Sequence, residues 1–266
     1  MDRQKQVLIA GLVIILLAAL AVFLLIVTDP EDRETLYQVS TIDALQQGVF
    51  DGVQPAGELK RHGDFGIGTF DALDGEMIVL EGIVYQATAD GHVRIPPDNL
   101  TTPFATVTYY GEDFTLAAGE TMNFSVFSKE MTDLLPSGNM VYVVRMHGTF
   151  PSMKVRAIPA QEKPYPTLSE AAANQSVYVY TNATGTVVGC YLPVFFEGLN
   201  VVGYHLHFIS DDRQTGGHIL DLTVPEGTAV GYDRTPEFTM VLPTSGDFTT
   251  VDLSQDLSDD LARVEN

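Results

Sequence analysis

A run of twenty-one residues, Val7 to Val27 (VLIAGLVIILLAALAVFLLIV), carries no charge or polar side chain. About 20 such residues are what a helix needs to cross a bilayer, and a buried core helix is rarely so uniform. Arg3 and Lys5 precede the run and Asp29, Glu31 and Asp32 follow it, so the positive-inside rule places the N-terminus in the cytoplasm and residues 28 onward outside. The run ends in IVTDPED without an A-x-A-like site, which favours an anchor or uncleaved signal over residues 1–27 rather than a processed leader. The expectation is a membrane-anchored or secreted protein, attached through residues 7–27, with an extracytoplasmic domain. Sequons at Asn99, Asn123, Asn174 and Asn182 agree with exposure to a glycosylating compartment.

Charge narrows the partners. Fourteen Lys and Arg stand against 35 Asp and Glu, a net charge of -21. Nucleic acid is excluded, because phosphate binding needs a basic face, and a small anionic substrate would need positive charge supplied locally. One cysteine, Cys190, rules out an internal disulfide framework.

Beyond a linker over residues 28–39, STIDALQQG reads as a short helix with Ser40 as N-cap and Gly48 as stop. From there to residue 160, DGEMIVLEGIVYQATADG, TPFATVTYYGEDFTL and NMVYVVRMHGTF alternate or run apolar between glycine-marked turns, as strands do. Pro159, Pro164 and Pro166 mark a hinge, beyond which VYVYTNATGTVVGCYLP and VVGYHLHFISDDRQTGGHILDLTV resume the β pattern. Asp252 to Glu265 closes with Leu253, Leu257, Leu261 and Val264 at helical spacing. The reading is two β-rich domains, 40–160 and 161–266, with few helices and a C-terminal amphipathic helix.

The chemistry concentrates in the second half. His205 and His207, at i and i+2 of a strand, project to one face. A turn about Asp212 and Arg213 would set His218 opposite His207 on that face. Three neutral imidazoles with open positions are the pattern of a catalytic zinc site, against the alternative of a polar strand facing water. A lone acid such as Glu76, at the head of an apolar strand, serves either as a turn residue or as a functional group in a cleft. Arg156, in a β-type alternation, is an ordinary surface cation unless it meets the substrate. Gly66-Ile67-Gly68 is followed by β alternation rather than a helix, so no dinucleotide fingerprint is present. Cys190, in an apolar strand, reads as a small buried hydrophobe.

At these residues the sequence resembles the acetolactate decarboxylases. The likeness rests on STIDALQQGVFDG, GDFGIGTFDALDGEMIVLEGIVYQATADG, the TPFATVT block, GTFPSMKVRAIPAQEKPYPTL and above all GYHLHFISDDRQTGGHILD, and it covers roughly residues 35 to 266. It implies an α/β protein of α+β type on mixed and antiparallel sheets, of a kind often found as a homodimer, with zinc (Zn2+) on His205, His207 and His218. It also places Glu76, Arg156 and Thr69 in the active site, with Glu265 as the C-terminal glutamate. The implied reaction takes 2-acetolactate, a small anionic 2-hydroxy-3-oxo acid, to acetoin and carbon dioxide through a metal-stabilised enediolate. The alternatives are a non-catalytic glycosylated surface module, or a zinc lyase or isomerase on a related 2-hydroxy-3-oxo acid.

Overall fold

The computed structural model of the chain describes residues 34–265, and two seven-stranded sheets form their framework. The first runs edge to edge through Glu237–Val241 (β16), Thr35–Val39 (β1), Ala105–Thr108 (β8), Phe65–Thr69 (β3), Glu76–Leu80 (β4), Ile83–Ala87 (β5) and Val93–Arg94 (β6). It is mixed: β16 and β1 are parallel, and every other pair is antiparallel. The second, wholly antiparallel, runs through Met122–Asn123 (β10), Gly216–Val224 (β14), Gly203–Ser210 (β13), Ser176–Leu192 (β12), Tyr142–Ala157 (β11), Ala229–Arg234 (β15) and Phe114–Ala117 (β9). The far end of β11 pairs back onto β14, so β11 to β14 close on themselves. Gln54–Pro55 (β2) and Thr101–Thr102 (β7) form a separate two-stranded ribbon. The β-rich architecture with few helices and a C-terminal helix is as the sequence led us to expect.

Strand alternation decides what each face buries. In β4, Met77 and Val79 join a core with Tyr37, Ala105 and Val107 on one side of the first sheet. Ile78 and Leu80 point the other way, onto Val143, Val188, Cys190 and Ile209 of the second sheet. The facing sheets therefore share an apolar core. Cys190 is part of it, with its thiol pushed up to about 12 by burial. Behind the second sheet, Phe127 and Met131 of helix Phe124–Leu134 pack on Phe150, Phe208 and Leu222.

Several expectations need correction. The early helix is Ile42–Gln46 (α1), capped by Thr41, whose Oγ1 accepts from Ala44 N–H at 3.2 Å; Ser40 precedes it in the left-handed region, φ +61°. After Ala56–Leu59 (α2) comes a helix the sequence reading missed, Phe124–Leu134 (α3), with Asn123 as N-cap. Leu168–Ala172 (α4) starts on a Thr167/Glu170 capping box. The C-terminal helix is only Ser258–Glu265 (α5), so Leu253 and Leu257 lie before it. A boundary at residue 160 does not match the sheets, since β11 and β9 belong to the second sheet and β16 returns to the first; the described residues fall in one compact unit.

The membrane reading is also corrected. Among the described residues no helix is long and apolar enough to cross a membrane. The longest, α3, has eleven residues, where a span needs about 20. Residues 7–27, on which the anchor, the membrane partner and the extracytoplasmic location all rested, lie outside the described residues, and those readings are withdrawn.

Candidate metal centre

The same parity that builds the shared core builds the site. In β13, His205 and His207 share a face with Ile209, the residue that packs between the sheets, while Leu206 and Phe208 point behind. The hairpin turns at Asp212 and Arg213 and sets His218 of β14 directly across from His207, the register read from spacing. Arg156 of β11 is the next residue along, paired with His218. Across the gap, Glu76 begins β4 on the Ile78 side, and Thr69 of β3 is its cross-strand partner. Glu265, at the end of α5, closes the group from the edge. The structure thus gathers all seven predicted residues.

Six of the seven are buried, with His207 1%, His218 2%, Arg156 4% and Glu76 6% exposed, and Glu265 at the rim is partly buried. One nitrogen from each imidazole lies within 4.8 Å of the others. His207 Nδ1 is 2.9 Å from the Met77 carbonyl, an acceptor only, so that nitrogen carries the proton and Nε2 presents its lone pair to the centre. His205 Nε2 and His218 Nδ1 are 3.1 Å apart. Glu265 Oε2 stands 3.6 Å from His205 Nε2 and 3.5 Å from His218 Nε2, and Glu76 Oε2 is 3.9 Å from His207 Nε2. Arg156 donates from Nη1 to Glu76 Oε1 and from Nη2 to Glu265 Oε1, both at 3.2 Å. Thr69 Oγ1 donates to the Gly75 carbonyl at 2.7 Å.

Burial sets the protonation. Desolvation takes His205 down to about 3 and holds His207 and His218 well below the ordinary imidazole range, so all three are neutral, the form that ligates metal. Burial raises Glu76 to about 7, with Arg156 opposing and Glu265 adding to the shift; Glu265 is raised by burial against the same arginine.

The residues fit a cation. His205 Nδ1, His207 Nε2, His218 Nε2, Arg156 Nε and Glu265 Oε2 are buried without a hydrogen-bond partner. Protein interiors seldom tolerate such a concentration. A metal ion drawn to the imidazole lone pairs and an anionic ligand accepting from Arg156 would satisfy it. The other histidines are elsewhere: His62 stacks on Tyr37 at 3.8 Å and His147 pairs with Asp211 at 3.1 Å. Sequence reading missed the opposite wall, where Ile42, Leu45, Leu73, Phe104, Ile158 and Leu168 complete a cavity of about 30 Å³; nothing in their types separates them from ordinary core.

Comparison with known proteins gives the family. Residues 36–255 match the family model for alpha-acetolactate decarboxylase. The chain is 49% identical over 232 residues to the alpha-acetolactate decarboxylase of Methanosarcina mazei, covering 87% of this chain and 80% of that one. With that of Bacillus subtilis strain 168 it shares 36% over 231 residues, 86% of this chain and 90% of the relative. The crystal structure of the Bacillus subtilis enzyme superposes with a TM-score of 0.84, covering 87% of this chain and 99% of that one. These relatives are named as enzymes, and none of the names describes a membrane protein. With the fold, the buried triad and these matches in agreement, the chain belongs to the alpha-acetolactate decarboxylase family.

Proposed function

We propose that this chain is a zinc-dependent decarboxylase that converts 2-acetolactate to acetoin and carbon dioxide, with zinc held by His205, His207 and His218. The observation that carries the reading is the neutral, buried imidazole triad facing an Arg156 that two carboxylates already engage. Zinc bound there supplies a Lewis acid that stabilises negative charge developing on the substrate's ketone oxygen.

The chain's own groups do the rest. Breaking the bond from C2 to the carboxylate releases carbon dioxide and leaves an electron pair, which the adjacent ketone absorbs to give an enediolate. Arg156 brings positive charge to an otherwise acidic protein, and its Nε, buried without a partner, can donate to a substrate oxygen. It speeds the reaction to the extent that it meets charge in the transition state better than in the bound substrate. The enediolate must then take a proton at C2. Glu76, raised to about 7, holds a proton for part of the time near neutrality and is the donor. Thr69 acts on Glu76 indirectly: by holding the Gly75 carbonyl it fixes the backbone next to that carboxylate. Burial keeps water away from the enediolate, so protonation comes from a side chain on one face.

The test is to incubate purified protein with racemic 2-acetolactate, following acetoin and, separately, bound metal. Acetoin released with about one zinc per chain supports the reading. No acetoin from zinc-loaded protein refutes it.

A further inference from the structure

The site has two sides, one polar and one apolar, and the apolar side contains a backbone anomaly. Ala72 and Leu73 both lie in the left-handed region, φ +60° each, three to four residues before Glu76. Neither is glycine, and each such residue costs roughly 1–2 kcal/mol. The segment is held from every side. Ala72 N–H donates to the Phe50 carbonyl and its carbonyl accepts from Gln161, both at 2.8 Å, and Gly75 N–H donates to Ile158 at 2.9 Å. Asp71 Oδ1 accepts from Gly52 at 2.6 Å and the Asp74 carbonyl from Gln86 at 2.6 Å.

Gly75, φ +78°, is where this turn needs glycine; at position 73 glycine would relieve strain, yet leucine is there. Its side chain, 3% exposed, lines the 30 Å³ cavity together with Glu76, Arg156 and His207. That space holds about one water, so alkyl groups on a substrate are tolerated only as far as an apolar wall yields. Ile42, Leu45 and Leu168 sit on helices remote in sequence from Glu76, whereas Leu73 shares one pinned turn with it.

Accepting the decarboxylase reading above, on which this rests, we propose that Leu73 sets the size of the alkyl group accepted at C2 of the substrate. Its turn holds the size-limiting side chain and the Glu76 carboxyl at a fixed spacing. A 2-methyl group fits beside Leu73 with C2 within reach of Glu76; a 2-ethyl group displaces C2 from that carboxyl.

The experiment compares kcat/KM for 2-acetolactate with that for its 2-ethyl homologue, 2-ethyl-2-hydroxy-3-oxobutanoate, in wild type, Leu73→Ala, Leu73→Phe and Leu168→Ala, with bound zinc measured in each. One methylene in a fitted pocket is worth about 10–200-fold in discrimination. Leu73→Ala should shift the ratio at least about tenfold toward the ethyl substrate with zinc retained, Leu73→Phe should shift it the other way, and Leu168→Ala should move it much less. An unchanged ratio in an active, zinc-loaded Leu73→Ala overturns the inference alone, as does an equal shift in Leu168→Ala, which would make the size limit a property of the whole wall. Wild type inactive on both substrates overturns the decarboxylase reading and this inference with it. Should Leu73→Phe fail to fold, the Leu73→Ala ratio decides.

Discussion

Gly189 holds β12 against the strand that carries two of the three imidazoles. A Cβ built there collides with the carbonyl oxygen of His205 and meets Leu206 Cδ2 at 2.8 Å and Leu206 Cα at 2.9 Å. The leucine side chain can turn aside, but the two backbone atoms cannot, so the clash is not absorbed by a rotamer change. Ordinary contact begins at 3.4 Å, so Gly189→Ala forces β13 away from β12 by roughly an ångström, more than the ~0.5 Å within which a ligand constellation must be held. His205 and His207 ride on β13 and His218 on β14, so the triad is sheared and not translated as a unit. The expected cost is about 1–3 kcal/mol in stability for an overpacked site and about 10–100-fold in zinc affinity, the range found when support of metal ligands is lost. Gly148 of β11 is the control: a Cβ there meets nothing within 4 Å. Gly148→Ala should be neutral or stabilise by up to about 1 kcal/mol through the unfolded chain. Denaturant melts give the stabilities and competition with a chromophoric chelator gives the zinc affinities. Equal affinity in the two variants would refute the claim that close approach of β12 and β13 positions the ligands.

Three further outcomes follow from the site. Single alanine substitutions of His205, His207 and His218 should each yield folded protein with little zinc, whereas Glu76→Gln keeps its zinc and loses turnover; metal analysis checks this, and full occupancy in His218→Ala would count against the triad. Arg156→Met leaves two buried carboxylates facing each other without their cation, which should lower stability by about 3–5 kcal/mol, read as a shift in denaturant midpoint; a change below 1 kcal/mol would show that the pair is not held together by this arginine. In chelator-stripped protein the three imidazoles resist protonation only while folded, so their contribution is intact above about pH 6.5 and lost as pH falls from there, by up to ~1.4 kcal/mol per pH unit for each group. Glu76 runs the other way, with stability present below its unfolded value of 4.5 and lost as pH rises toward about 7. Melting temperature against pH should therefore fall on acidification below 6.5, and a flat profile between 6.5 and 5 would contradict the buried-neutral assignment.

The histidine cluster was legible because strand periodicity and hairpin register are local: i, i+2 and one turn suffice to bring His205, His207 and His218 together. Glu76 was ambiguous by itself, since a strand-initial acid is as often a turn residue. Which way it points depends on Ile78 and Leu80 facing the second sheet, a long-range fact; the family resemblance supplied its place, as it did for Arg156, Thr69 and Glu265. Helix α3 was missed because NFSVFSKEMTDLL carries β-branched and aromatic residues, and its helicity rests on Phe127 and Met131 packing behind the second sheet. The boundary at residue 160 failed because proline content marks a surface turn without saying to which sheet the flanking strands return.

The parallel pairing of β1 with β16 joins Thr35 to Glu237 and Val39 to Val241, positions some two hundred residues apart. Loop closure over such a span comes late, because its entropy is lost before any contact is gained. During synthesis β1 can dock on β8 long before β16 emerges, leaving one rim of the first sheet with unanswered amide and carbonyl groups. Such a rim recruits other strands. The partly made chain is thus at its most adhesive just before its last thirty residues appear, and refolding at high concentration should lose material to aggregates at that stage, with yield improving on dilution.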